Sequence, residues 1–156
     1  MAKQGDVVSH WHILLDDFNA SALNFYALVE KALAARQIPD LKVKRINWRE
    51  SGIFSAKREY LRVSRGRLTY DICAAPYGTG YFFSSWMAVQ APIPILSLLI
   101  SMFVKPITYF ELDTRTMFQE SVHRALTDTI GAQRTAQGLR ALSPEEIRPT
   151  IRDMVG

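Results

Sequence analysis

The chain has 156 residues, 48% of them hydrophobic and 11% aromatic, with a formal net charge of +4. That length and apolar content exclude an unstructured tail and suit one domain that buries about two-thirds of its unfolded surface. The lone cysteine, Cys73, excludes an intrachain disulfide and a thiolate zinc cluster.

The first eight residues, Met-Ala-Lys-Gln-Gly-Asp-Val-Val, lack the apolar core of a secretory signal, so a cytoplasmic setting is expected. His10–Leu15 is compact and apolar, bounded by Asp16 and Asp17, and reads as a short strand or the lead-in to a helix. Asn19 or Ser21 is placed to cap the helix that follows. Leu23, Tyr26, Ala27, Leu33 and Ala34, with Phe25, Leu28, Val29 and Ala32, recur at helical spacing and predict a broad buried face. Pro39 ends this helix by pushing Ile38 out of helical geometry.

Residues 41–89 read as strands. Leu41–Trp48 interleaves apolar residues with Lys and Arg, and Arg58–Ser64 sets Leu61 and Val63 on one side and Tyr60 and Arg62 on the other. Arg65-Gly66 marks a tight turn, because glycine adopts a positive φ without penalty. Arg67–Ala74 returns with Leu68, Tyr70 and Ile72 on one face, Pro76–Gly80 turns again, and Tyr81–Val89 is a further strand. Short connections predict an antiparallel meander.

No charged residue occurs from Ile72 to Val104. The last part, Pro92 to Val104, is nearly all apolar, and a helix from Pro94 to Val104 would be apolar on nearly every side. Such a helix spans only about 16 Å, roughly half the hydrocarbon thickness of a bilayer. An interfacial or re-entrant segment, or one covered by a partner, is therefore expected rather than a simple span. Beyond Pro106, Asp113 is placed to cap a helix with Phe118, Val122, Ala125 and Leu126 inward and Arg115, Glu120 and Arg124 outward. Gly131 is the expected stop. Ser143-Pro-Glu-Glu146 is a capping box that starts a last helix through Ile147, Ile151 and Met154.

Chemistry-bearing patterns are sparse. His10-x-His12 puts two imidazoles on one side of a strand, and His123 is the only other histidine. A metal-dependent hydrolase would have to use these three, and a hydrogen-bonded structural pair is the simpler reading, so no metal is assigned. Glu120-x-x-His123 has the spacing of carboxylate-bridged diiron bundles, but the chain holds one copy where such bundles need two. Asp16 and Asp17 point apart, Gly78-Thr-Gly80 lacks the lysine and long loop of a phosphate-binding motif, and Ser84 and Ser85 lack a nucleophile elbow. No cofactor motif is present.

Basic residues concentrate between 41 and 67, and Lys42, Lys44, Arg62, Arg65 and Arg67 are the expected contacts for an anionic ligand. With Tyr60 and Tyr70 as stacking rings, the same arginines offer an alternative as a soluble nucleic-acid-binding module.

The sequence thus leads to an α+β domain over residues 1–156. A three- to four-stranded antiparallel meander packed by an N-terminal helix occupies 1–90, an apolar segment 91–110, and two C-terminal helices 111–156. The expected role is a non-catalytic accessory or assembly subunit on the cytoplasmic side of a membrane, peripheral or re-entrant. Lipid, a membrane-protein complex or a second copy would meet Trp86, Ile93, Ile95, Leu96, Leu99, Ile100, Met102, Phe103, Val104 and Lys105.

Overall fold

The structure, a computed structural model, describes residues 5–49, 57–90 and 106–151. Its elements in chain order are β1 (Asp6–Asp16), α1 (Ala22–Ala35), β2 (Lys42–Arg49), β3 (Lys57–Arg65), β4 (Leu68–Tyr77), β5 (Gly80–Val89), α2 (Tyr109–Ala136), the single-turn α3 (Pro144–Ile147) and β6 (Thr150–Ile151). The strands form one antiparallel sheet in the order β2-β3-β4-β5-β1-β6. The α+β class and antiparallel pairing follow the sequence pattern. The three- or four-strand meander is too coarse, because His10–Leu15 belongs to an 11-residue strand that closes against β5, and β6 adds to its far edge.

Both long helices lie on one face of this sheet. Phe25, Tyr26, Val29 and Leu33 of α1 and Phe118, Val122, Leu126 and Ile130 of α2 share a core with Trp11, Leu15, Leu61, Tyr70, Ile72, Phe83 and Met87. Tyr26 does more than fill space. Its hydroxyl donates to the Glu59 carbonyl at 2.9 Å and accepts from the Ala74 amide at 3.0 Å. These two backbone groups would face each other two residues beyond Leu61 and Ile72, where the β3–β4 pairing stops. The phenol therefore replaces a ladder bond and lets the strands part around it, leaving neither backbone group unmatched.

The turn at Gly66 falls where the sequence places it, with φ +56° and Arg65 paired to Leu68 across it. Helix termini differ more. Ser21 occupies the cap position of α1 but makes no side-chain cap bond, and Asn19 is held by backbone bonds to the Gln137 side chain at 3.1 and 2.8 Å. Helix α1 stops at Ala35, before Pro39 acts, and Gln37 takes a positive φ of 49°. Helix α2 starts at Tyr109 with Thr108 accepting from the Glu111 amide, so Asp113 lies inside it. The capping box at Ser143 and Glu146 is present, yet α3 lasts one turn and Ile151 belongs to β6. The apolar run 92–104, Lys105 and Met154 lie outside the described residues.

Gly131 does not end α2, which continues to Ala136 and is closed at Gly138, where φ is +73° and Leu139 N–H bonds to the Arg134 carbonyl. A methyl group at Gly131 would meet no heavy atom within 4 Å. Gly131→Ala is therefore expected to stabilise the fold by about 0.5–1 kcal/mol, by reducing the freedom of the unfolded chain. Chemical denaturation measures this, and an unchanged or lower midpoint would mean that the glycine serves packing.

Candidate functional site

Three places gather the residues singled out by the sequence. The first is an internal polar relay. Tyr70 Oη lies 2.9 Å from Ser85 Oγ and 2.8 Å from His123 Nδ1, and His123 Nε2 lies 2.6 Å from the Ile147 carbonyl. A carbonyl only accepts, so Nε2 carries the proton. In the neutral ring Nδ1 then accepts from Tyr70, which in turn accepts from Ser85. Burial holds the His123 imidazole below its ordinary pKa, against the upward pull of the Ile147 bond and Glu120. Beside it Trp11 Nε1 donates to the Glu146 carbonyl at 2.7 Å and meets the His123 ring edge-on. Tyr70, Ser85 and His123 are all at most 3% exposed. The relay joins β4, β5, α2 and α3, and its reactive groups are enclosed.

The second place is the sheet face turned away from the helices. Arg62 and Asp71 form a two-pronged ion pair at 2.6 and 2.7 Å with side chains only 7% and 14% exposed. The Trp48 ring lies against the guanidinium. Around them Gly5, Val7, Tyr60, Thr69, Trp86 and Ala88 line a cleft of about 260 Å³. His10 stacks on Trp86 with ring centres 3.7 Å apart and on His12 at 5.1 Å. The two histidines share a face, as their spacing predicts, but their neighbours are rings. His123 sits on the opposite, helix-covered side. Among the described residues no three His, Cys, Asp or Glu side chains are grouped to hold a metal ion. Lys42 and Lys44 are exposed on β2, Lys44 directly across from Arg62.

The third place lies at the end of the sheet where β5 runs into the apolar stretch. Asp40, Arg65, Gly66, Arg67, Leu68, Val89, Glu111, Thr114 and Arg115 surround a cleft of about 410 Å³. Arg65 Nε donates to the Pro39 carbonyl and Arg67 Nε to the Gln90 carbonyl, which leaves the outer nitrogens of both guanidiniums free of protein partners among the described residues. Arg115 Nη2 pairs with Glu111 Oε1 at 2.7 Å. Arg115 is only 9% exposed and its Nε is buried without an acceptor, as Gln119 Oε1 one turn further is without a donor. Tyr81 Oη and two nitrogens of Arg134 are also unmatched; Tyr81 stands among Phe18 and Phe83, and Arg134 acts on Glu146, so neither borders this cleft.

The basic set expected from the sequence is thus divided. Arg65 and Arg67 meet in the end cleft, Lys42 and Lys44 are solvated on an edge strand, and Arg62 is engaged by Asp71. Tyr70, expected as a stacking ring, is 1% exposed and out of reach of a base. Cys73 is fully buried and burial pushes its thiol up. Arg115, expected to face water because it is charged, is buried instead. Its position three residues before Phe118 and seven before Val122 puts it on the buried stripe, and that spacing is the signal in the sequence. Asp71 is equally legible, because a two-residue turn pairing Arg65 with Leu68 sets Arg62 opposite Asp71.

The chain matches no protein-family model and no curated protein. Two solved structures align with it. A crystal structure of a Thermus thermophilus protein does so at 15% identity, over 79% of this chain and 97% of that one, with a TM-score of 0.32. Truncated norcoclaurine synthase from Thalictrum flavum does so at 14% identity, over 86% and 98%, with a TM-score of 0.26. At these scores the likeness carries no weight for fold or function.

The relay has a pH signature. The unfolded chain binds a proton at the ordinary histidine pKa of 6.5, whereas folded His123 resists it. Stability is therefore fully present above that pH and declines as pH falls through and below it. His10, lowered by burial and then by the charge of His12, adds to the same slope. Urea midpoints followed from about pH 7.5 down to about pH 5, a range that brackets the ordinary histidine pKa, should drop in the wild type and drop less in His123→Gln. Equal slopes would remove His123 from the account.

Proposed function

We propose that this chain is a non-catalytic accessory or assembly subunit that docks on an anionic membrane surface through the end of its fold bearing the apolar run. One observation carries the reading. The last described residue before the run, Gln90, accepts from Arg67 and donates its backbone amide back to the Arg67 carbonyl at 2.8 Å. Gln90 therefore stands beside the Arg65-Gly66-Arg67 turn. Where the chain resumes, Ile107, Tyr109 and Phe110 are exposed, the latter two at 88% and 80%, in the lead-in and first turn of α2.

Aromatic and basic residues thus gather at the end of the sheet where Gln90 stands, a composition that suits a lipid interface. Tyrosine rings sit at the headgroup boundary, phenylalanine buries its ring just beneath it, and guanidiniums meet anionic lipid just outside it. No helix among the described residues is long and apolar enough to cross a membrane, so docking rests on the run itself and on this rim. The three histidines, split between two faces of the sheet, support a role without chemistry.

Sedimentation with phosphatidylcholine vesicles, with and without phosphatidylglycerol, tests the reading. Binding should require the anionic lipid and weaken with added salt. At roughly 1 kcal/mol for each basic residue near the surface, reversing Arg65 and Arg67 should lower affinity by about 30-fold or more. An intact chain that leaves both kinds of vesicle untouched at low salt would overturn the proposal. So would binding to single-stranded nucleic acid that the same reversals abolish while vesicles are ignored.

A further inference from the structure

We infer that the end cleft is a headgroup site that takes the phosphate of one anionic amphiphile. Arg115 would be its inner contact, Arg65 and Arg67 its rim, and Leu68 and Val89 the surface for the apolar part of the ligand. The inference rests on the membrane-docking reading and names what that end recognises. A volume of about 410 Å³ lies within the roughly 300–1,000 Å³ of small-molecule sites.

The decisive feature is Arg115. Solvated surface charge accounts for Arg65 and Arg67 but gives no reason to bury a third guanidinium in the same wall. Arg115 is 9% exposed, and one of its donors is buried with nothing to accept from it. Buried donors are nearly always matched, so a guanidinium that lines a cleft and keeps one donor unmatched is suited to turn toward an acceptor oxygen arriving from outside. The outer nitrogens of Arg65 and Arg67, without protein partners among the described residues, offer the same ligand further donors. Forked guanidiniums and phosphate oxygens match in geometry and charge, and phosphate offers more acceptors than a carboxylate for three such groups.

Two carboxylates share the cleft. Asp40 stands on the rim, and Glu111 holds Arg115 Nη2 at 2.7 Å with its side chain 47% exposed. Three guanidiniums against two carboxylates leave the cleft positive. Glu111 then acts as a built-in competitor: it occupies Arg115 when the cleft is empty and, half in water, is able to yield to a stronger anion. Neutralising it strengthens binding. Leu68 is 7% exposed and Val89 is partly buried against the core, so the floor behind the arginines is apolar. That floor separates an amphiphile from free phosphate.

Calorimetry on the intact chain with dibutyryl phosphatidic acid, kept below its aggregation concentration, and with inorganic phosphate provides the test. The soluble lipid should saturate at one per chain, and inorganic phosphate should bind about tenfold or more weakly for want of the apolar contact. Arg115→Lys, and Arg65→Lys with Arg67→Lys, preserve net charge yet should each weaken the soluble lipid by about tenfold, since lysine cannot supply the fork. Glu111→Gln should tighten it. If melting shows that Arg115→Lys unfolds, the rim pair decides alone. Absence of saturable binding, or charge-conserving variants that bind like wild type, would overturn the site. Equal affinity for inorganic phosphate would overturn the amphiphile. Vesicle sedimentation alongside keeps the two proposals apart. Saturable soluble binding without vesicle association leaves the site and removes membrane docking, and the reverse result leaves docking and removes the site.

Discussion

The bond from Tyr70 to His123 governs how α2 sits on the sheet. A helix packed by apolar contacts alone has latitude to turn about its axis, since dispersion and hydrophobic burial are not directional. A hydrogen bond at 2.8 Å in a site only 3% exposed has little latitude. Its loss would leave the buried imidazole nitrogen unmatched, a cost of about 1–3 kcal/mol, while the Tyr70 hydroxyl would keep only Ser85. His123 is held from the other side by the Ile147 carbonyl, so the one-turn α3 is fixed by the same ring. Arg140 and the Ser143 amide secure α3 in turn by their bonds to Glu146, which hold its carboxyl down to about 2.

That setting determines what the rest of α2 presents. Arg115, Gln119, His123 and Thr127 follow one another at four-residue intervals along the buried face. Once His123 is aimed at Tyr70, Arg115 two turns earlier is necessarily aimed at the sheet end, where Arg65 and Arg67 close the β3–β4 turn. The far end of the stripe behaves differently. Thr127 and Thr129 bond back to the carbonyls of His123 and Ala125, which satisfies them within the helix. Polarity in the middle and later turns is thus structural. Polarity in the first turns opens onto a cleft.

Much of this is legible in local spacing. Strand alternation from 41 to 89, the Gly66 turn and the Ser143 capping box depend on neighbouring residues, and each stands where the pattern puts it. The closure of β1 on β5 is not legible, because pairing between segments some seventy residues apart leaves no periodic trace in either strand. Helix ends depart from the pattern where a plausible local signal meets a stronger tertiary one. Asp113 is a good capping residue, but Thr108 lies further upstream and takes the cap. Gly131 is a good stop, but packing on both sides carries the helix through it. Arg115 defeats the rule that charge faces water, which fails where a helix face must serve a cleft as well as a core.

The two sheet faces show how differently one basic composition can be used. On the outer face Arg62 is neutralised by Asp71 at a directly opposed position and covered by Trp48, so its charge is internal to the fold. Removing either partner would strand the other in a site less than one-sixth exposed, which is why such a pair is costly to break whatever its net contribution. At the end of the sheet the charges are left partly unmatched. Among the described residues Arg65 and Arg67 each bond through Nε to a backbone carbonyl, which orients the guanidinium with its outer edge left over. The same two carbonyls, of Pro39 and Gln90, end the α1–β2 connection and begin the approach to the apolar run. Orientation of the arginines and the exit of the chain are therefore one arrangement, and a change in either would move the other.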